Sequence, residues 1–171
     1  MKRLVSMLLA LTLLASVPAM AFSDTAEHWA AADIGLCRDR GLMTGVSEAV
    51  FQPDGTLTVS QCAAAAARLH IQQGGGREFP LTEPWYQSYA DYLRDLGVHL
   101  PEDLGANCTR QQFFEILADL VPSRQLTPIN EIGVLPDTAD PKILAFYRAG
   151  ILTGTDEFGT FRGHLTLTRA E

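Results

Sequence analysis

A chain of 171 residues with 20 acidic and 13 basic side chains carries a formal net charge of −7. That balance argues against nucleic acid as a partner, because affinity there rests on neutralising phosphates and the chain has no basic stripe. An anionic ligand would have to be met by a few placed cations instead of a general field.

The start of the chain reads as a leader and not as part of a fold. Met1-Lys2-Arg3 is a basic n-region, Leu4 to Val17 is apolar, and Ala19-Met20-Ala21 supplies a small-x-small cleavage pattern, so residues 1–21 are expected to be a signal peptide with Phe22 first in the mature chain. Export follows, and losing Lys2 and Arg3 takes the net charge to −9 (−7 − 2). The apolar run is short for a membrane span of roughly 20 residues, and no later stretch approaches that length, so no membrane insertion is expected after signal removal. No cysteine follows the cleavage site, which argues against a lipid anchor.

From Phe22 the chain reads as helices separated by turns. Trp29, Ile34 and Cys37 mark one helical face that Gly41 ends, and Leu42 to Leu57 form a loop containing Phe51-Gln52-Pro53-Asp54-Gly55. Thr58 with Gln61 then opens an Ala-rich helix, and Gln72 to Arg77 reads as a connector. A second pass begins at Trp85, reaches Gly97 and opens a helix at Thr109 with Gln112, closed by Pro122. A third begins at Leu135-Pro136-Asp137, reaches Gly150 and opens at Thr168 with Glu171. Each threonine, followed three residues later by Gln or Glu, has the form of a capping box. The three starts lie 51 and 59 positions apart (109 − 58 and 168 − 109), so the chain is read as repeats over 22–73, 78–122 and 131–171. The second lacks a Phe-x-Pro loop, and the third stops about one turn into its helix, which cannot stand alone. The chain as given is therefore expected to be truncated, its third inner helix missing.

The three cysteines, Cys37, Cys62 and Cys108, are an awkward number for a disulfide framework in an exported chain. Buried free thiols are the simpler reading, with a Cys37–Cys62 bridge the less favoured one.

Phe22-Ser23-Asp24, His28-Trp29-Ala30, Gly41-Leu42, Phe51-Gln52-Pro53 and Leu167-Thr168-Arg169-Ala170-Glu171 together resemble the S-layer homology family. The resemblance implies an all-α fold of three helix-loop-helix repeats in a pseudo-threefold arrangement around a central helix bundle. It also implies a function at the cell surface: non-covalent anchoring to an anionic, often pyruvylated, secondary cell-wall polysaccharide held in grooves, with surface-layer assembly as a further prospect.

Arg110 and Arg169 take the first helical position after their caps, where a planar guanidinium would sit beside free backbone N–H groups at the positive end of a helix dipole. A sugar carboxylate is what such a fork could hold bidentately. Val59 takes that position in the first repeat, whose groove is expected to be weak. Arg169, Arg110, Thr168 and Glu171 head the candidate ligand-binding residues. The resemblance adds Asp24 and Asp137, which read otherwise as caps or turns. It adds Gly45 and Gly154, which otherwise serve backbone geometry, and Trp29, which is otherwise a core or groove-wall aromatic like Trp85.

His28, His70, His99 and His164 show no ligand spacing, and the acidic turns lack the alternating oxygens of a calcium loop, so no metal or cofactor is expected. Glu102-Asp103 reads as a solvated loop and not as a glycosidase pair. The chain is read as a binding module and not an enzyme. The alternative is a peptidoglycan-binding front end of an exported glycan hydrolase whose catalytic part lies elsewhere.

Overall fold

The computed structural model describes residues 22–74, 79–80 and 82–171. The expected signal peptide, residues 75–78, which include the end of the expected connector, and Leu81 lie outside the described residues. The fold is all-α: α1 Ala31–Asp39, α2 Val59–Gly74, α3 Gln87–Asp95, α4 Arg110–Leu120, a 3-10 turn Ser123–Gln125 and α5 Pro141–Arg148. Among the described residues there are no strands, only isolated bridges. No described helix is long and apolar enough to cross a membrane.

Helix ends follow the local chemistry. Gly41, Gly97 and Gly150 take φ of 64°, 83° and 69° just past α1, α3 and α5. Each closes the same pair of bonds: the glycine N–H reaches back to Arg38, Arg94 or Tyr147, and the next N–H reaches Cys37, Leu93 or Phe146. Left-handed backbone at this position costs a glycine nothing and satisfies the orphan carbonyls of the last turn.

Small side chains set the packing. Ala63, Ala66 and Ala67 of α2 are buried with Leu93, Val98 and Ile116, so that α2 lies against both α3 and α4. Aromatic bulk fills the α4–α5 contact, where Phe114 meets Phe146 and Phe161 with Ile143 alongside. A third cluster joins Leu57, Val59, Cys62, Cys108 and Leu167, all buried, at the point where the three threonine-capped segments converge. Each fully buried aliphatic side chain there contributes about 1.5–3 kcal/mol.

Two expectations are corrected. Helix α2 runs on through Gln72, Gln73 and Gly74, which composition assigned to a connector. Trp29 does not lie on the buried face of α1: the helix begins at Ala31, Ala30 takes the inward place, and Trp29 sits in the preceding turn 72% exposed. The three cysteines are free, as the simpler reading had it; Cys37 is half-buried on α1, and Cys62 and Cys108 are buried in one cluster.

Candidate functional site

The three capped starts are built alike. Thr58, Thr109 and Thr168 each accept the N–H of the residue three positions on, and each donates its own N–H to that residue's side chain, Gln61, Gln112 or Glu171. These reciprocal bonds close a capping box at every start.

Main-chain bonds then tie the starts to one another in a ring. Leu57 N–H donates to Leu167 O, Leu167 N–H to Cys108 O and Cys108 N–H to Leu57 O, at 3.0, 3.0 and 2.8 Å. One layer out, Val59 N–H reaches Ala106 O, Arg110 N–H reaches Leu165 O and Arg169 N–H reaches Gly55 O. In the next layer Ser60, Gln111 and Ala170 donate to Leu104, Gly163 and Pro53. The two outer sets run in one cyclic order, from the first start to the second loop, the second to the third and the third to the first, and the innermost set runs the opposite way, first to third, third to second and second to first.

This ring corrects the expected mode of anion binding. The amides of the first turns are not free: neighbouring loops take the first two, and the cap threonine takes the third. A helix terminus binds an anion through orphan N–H groups, and here those groups are already paired.

The arginines are likewise committed. Arg169 is buried; its Nε donates to Phe51 O at 2.7 Å, its Nη2 to Thr44 O at 2.6 Å, and the guanidinium lies 4.4 Å from the centre of the Phe51 ring. Burial lowers its pKa, opposed by the nearby Asp24 carboxylate, yet an arginine remains charged at neutral pH. Arg110 repeats the arrangement with Nε on Phe161 O at 3.0 Å and its guanidinium 5.7 Å from that ring. Its Nη1 also faces Glu171 Oε1 at 3.5 Å.

Asp24 and Asp137 serve the same two loops from the other side. Asp24 accepts from Phe51 and Gln52 N–H at 2.9 and 2.7 Å; Asp137 accepts from Phe161 and Arg162 N–H at 2.8 and 2.7 Å. Gln52 and Arg162 carry φ of 59° and 53°, a left-handed conformation that costs a side-chain-bearing residue roughly 1–2 kcal/mol. Both carboxylates are thus turn clamps, the simpler of the two readings.

Gly45 and Gly154 sit where backbone strands touch. A Cβ on Gly154 would lie 2.3 Å from Gly159 Cα, and one on Gly45 would lie 2.4 Å from Ser47 O.

Two cavities border this frame. The larger, about 630 Å³, brings together Trp29, Arg110, Gly154, Arg169 and Glu171 of the expected residues, and Asp33 joins its wall. Its two guanidiniums are matched by two carboxylates. The smaller, about 390 Å³, is lined by Gly45 and Arg169 together with Thr44, Gln61, Arg68 and Trp85, with no carboxylate in its wall among the described residues. Thr168, Asp24 and Asp137 line neither.

Arg68 was missed by sequence reasoning. It is the one arginine on the Ala-rich α2, half-buried, stacked 4.9 Å from the Tyr89 ring centre and bonded to Tyr89 Oη and Leu42 O. A lone cation in an alanine run was the available signal. Trp85, 49% exposed in the turn before α3, stands on the same cavity.

Residues 21–58 match the family model of the S-layer homology domain. This part of the chain carries an S-layer homology domain. The match spans Asp24, Trp29, Gly45 and Phe51 and ends at Thr58, the first of the three caps. No curated protein matches the chain. The S-layer homology domain is a binding module, not a catalytic one, and implies anchoring at the cell surface by attachment to cell-wall polymer. Among the described residues no group of three His, Cys, Asp or Glu side chains is placed to hold a metal ion.

Proposed function

We propose that this is an exported anchoring protein that holds an anionic, pyruvylated cell-wall polysaccharide in the cavity between Arg68, Arg169 and Trp85. The observation that carries the reading is a wall with two guanidiniums, an exposed indole and, among the described residues, no carboxylate. Arginine offers five N–H donors, and Arg169 spends Nε and one of Nη2 on carbonyls, so Nη1 is left for a ligand. An exposed tryptophan face beside those donors suits a sugar ring.

The segments 22–73, 78–122 and 131–171 are in this reading three S-layer homology repeats about a pseudo-threefold axis, and the cyclic main-chain bonds support that arrangement. The 630 Å³ cavity, with Arg110 and Arg169 offset by Glu171 and Asp33, is the poorer anion site. In the favoured 390 Å³ cavity α2 supplies Arg68 beside Arg169, and Val59 lines neither cavity.

Sedimentation of the protein with purified walls, before and after chemical removal of pyruvyl groups, tests this. Arg68→Gln should weaken retention about tenfold, the effect of losing one charge-assisted contact of about 1.4 kcal/mol, and Trp85→Ala should weaken it by about the same factor through loss of the aromatic face. Trp29→Ala should leave it near the starting value. Equal retention on depyruvylated walls, or on bare peptidoglycan, overturns the pyruvylated-glycan reading.

A further inference from the structure

The geometry points to Cys62 and Cys108 as a cross-linking site, an intramolecular disulfide joining the first turn of α2 to the residue that leads into the cap of α4. Both side chains are fully buried in one cluster with Leu57, Val59 and Leu167. Their backbones are held in register: Cys108 N–H donates to Leu57 O at 2.8 Å, Thr58 bridges Asn107, and Cys62 N–H closes onto Thr58 O at 3.0 Å. The two thiols are thereby buried together in one cluster, with Cys108 Sγ also 3.5 Å from Thr109 O and Cys37 left half-buried on α1 outside it. An odd cysteine count is then one pair plus one spare.

The contact also divides their acidities. Donation to Cys108, reinforced by burial, holds the Cys62 thiol protonated, while the same bond favours the Cys108 thiolate against its own burial. Either cysteine can supply the first thiolate while the chain is still open, and the steps are the same with Cys62 and Cys108 exchanged. Because both groups are sealed in the finished fold, the reaction belongs to folding, when an exported chain meets a disulfide oxidant of the glutathione or thiol–disulfide oxidase class. Cys108 thiolate attacks one sulfur of the oxidant, forming a mixed disulfide and releasing the other sulfur as a thiolate. Cys62, losing its proton, then attacks the Cys108 sulfur and expels the second oxidant thiolate. Two protein thiols give up two electrons and two protons, and the oxidant disulfide takes them up as two thiols.

The inference goes beyond glycan binding and uses only the export part of that reading, to say where the oxidant is met. The test is to refold the reduced full chain with oxidised and reduced glutathione, alkylate it in denaturant, digest it and map the peptides. The expected result is a single bridge, Cys62–Cys108, with Cys37 alkylated. The melting midpoint should lie roughly 10 °C above that of the reduced chain, since the bond closes a loop of 46 positions (108 − 62). Cys37→Ser should keep bridge and shift, whereas Cys62→Ala should remove both. Three alkylated cysteines after refolding, or a bridge that includes Cys37, overturns the assignment, and neither result depends on whether walls are bound.

Discussion

Replacing Arg169 by alanine should cost the fold about 3–4 kcal/mol, although arginine-to-alanine changes at protein surfaces rarely exceed 0.5 kcal/mol. The side chain is 8% exposed and donates to two main-chain carbonyls. Phe51 O belongs to a fully buried residue, so losing a charged donor there leaves an unsatisfied acceptor worth about 2 kcal/mol. Thr44 is exposed, and water would replace its bond at a cost of about 0.5–1 kcal/mol. The guanidinium over the Phe51 ring adds about 1 kcal/mol. Urea unfolding followed at 222 nm would read the loss directly, with an unchanged slope showing that the unfolded state is unaltered. Arg124→Ala, an exposed residue in the 3-10 turn, should stay within about 0.5 kcal/mol. Arg169→Lys should fall between, since one ammonium cannot serve both carbonyls in the guanidinium's fixed fork. A loss below about 1 kcal/mol for Arg169→Ala, with the helical signal intact, would refute the claim that this arginine is a staple between segments.

Other changes probe the same frame. Donation by Phe51 N–H, against a small desolvation, holds the Asp24 carboxyl below its ordinary range. Its folded pKa is depressed, so its stabilising effect is present above about pH 4 and lost as pH falls through the folded value; Asp24→Asn should flatten the acid side of a melting-temperature–pH profile. Gly154→Ala forces a methyl into backbone 2.3 Å away and should cost about 2 kcal/mol by urea titration. Thr109→Ala opens the α4 capping box and should cost about 1 kcal/mol, seen as a lower unfolding midpoint at constant slope.

The local grammar of the fold was legible in the sequence. Thr58, Thr109 and Thr168 announced their capping boxes, and Gly41, Gly97 and Gly150 marked helix ends, because those features depend on residues within one turn of each other. What joins segments dozens of residues apart was not legible. Nothing in the string shows that Arg110 N–H will meet Leu165 O, and so the first-turn amides looked available for an anion when they are not. Arg68 escaped for a related reason: its meaning comes from Trp85 and Arg169 across the cavity, not from its alanine neighbours.

Two irregularities that the sequence presents separately are one feature in space. The first segment carries Val59 where the others carry Arg110 and Arg169, and the second lacks the phenylalanine loop that the others show as Phe51 and Phe161. The ring pairs each start with the next segment's loop, so Arg169 reaches Phe51 and Arg110 reaches Phe161, whereas Val59 meets Leu104 to Ala106, where there is no such loop. An arginine at position 59 would have no clamped carbonyl and no ring beneath it, and a buried guanidinium without partners costs several kcal/mol. Valine, fully buried beside Leu57 and Cys108, fits that place. The first-position arginines therefore answer to the neighbouring loop before they answer to any ligand. On the proposed reading, anion recognition falls to the donors left over, on Arg68 and Arg169, which line the same cavity.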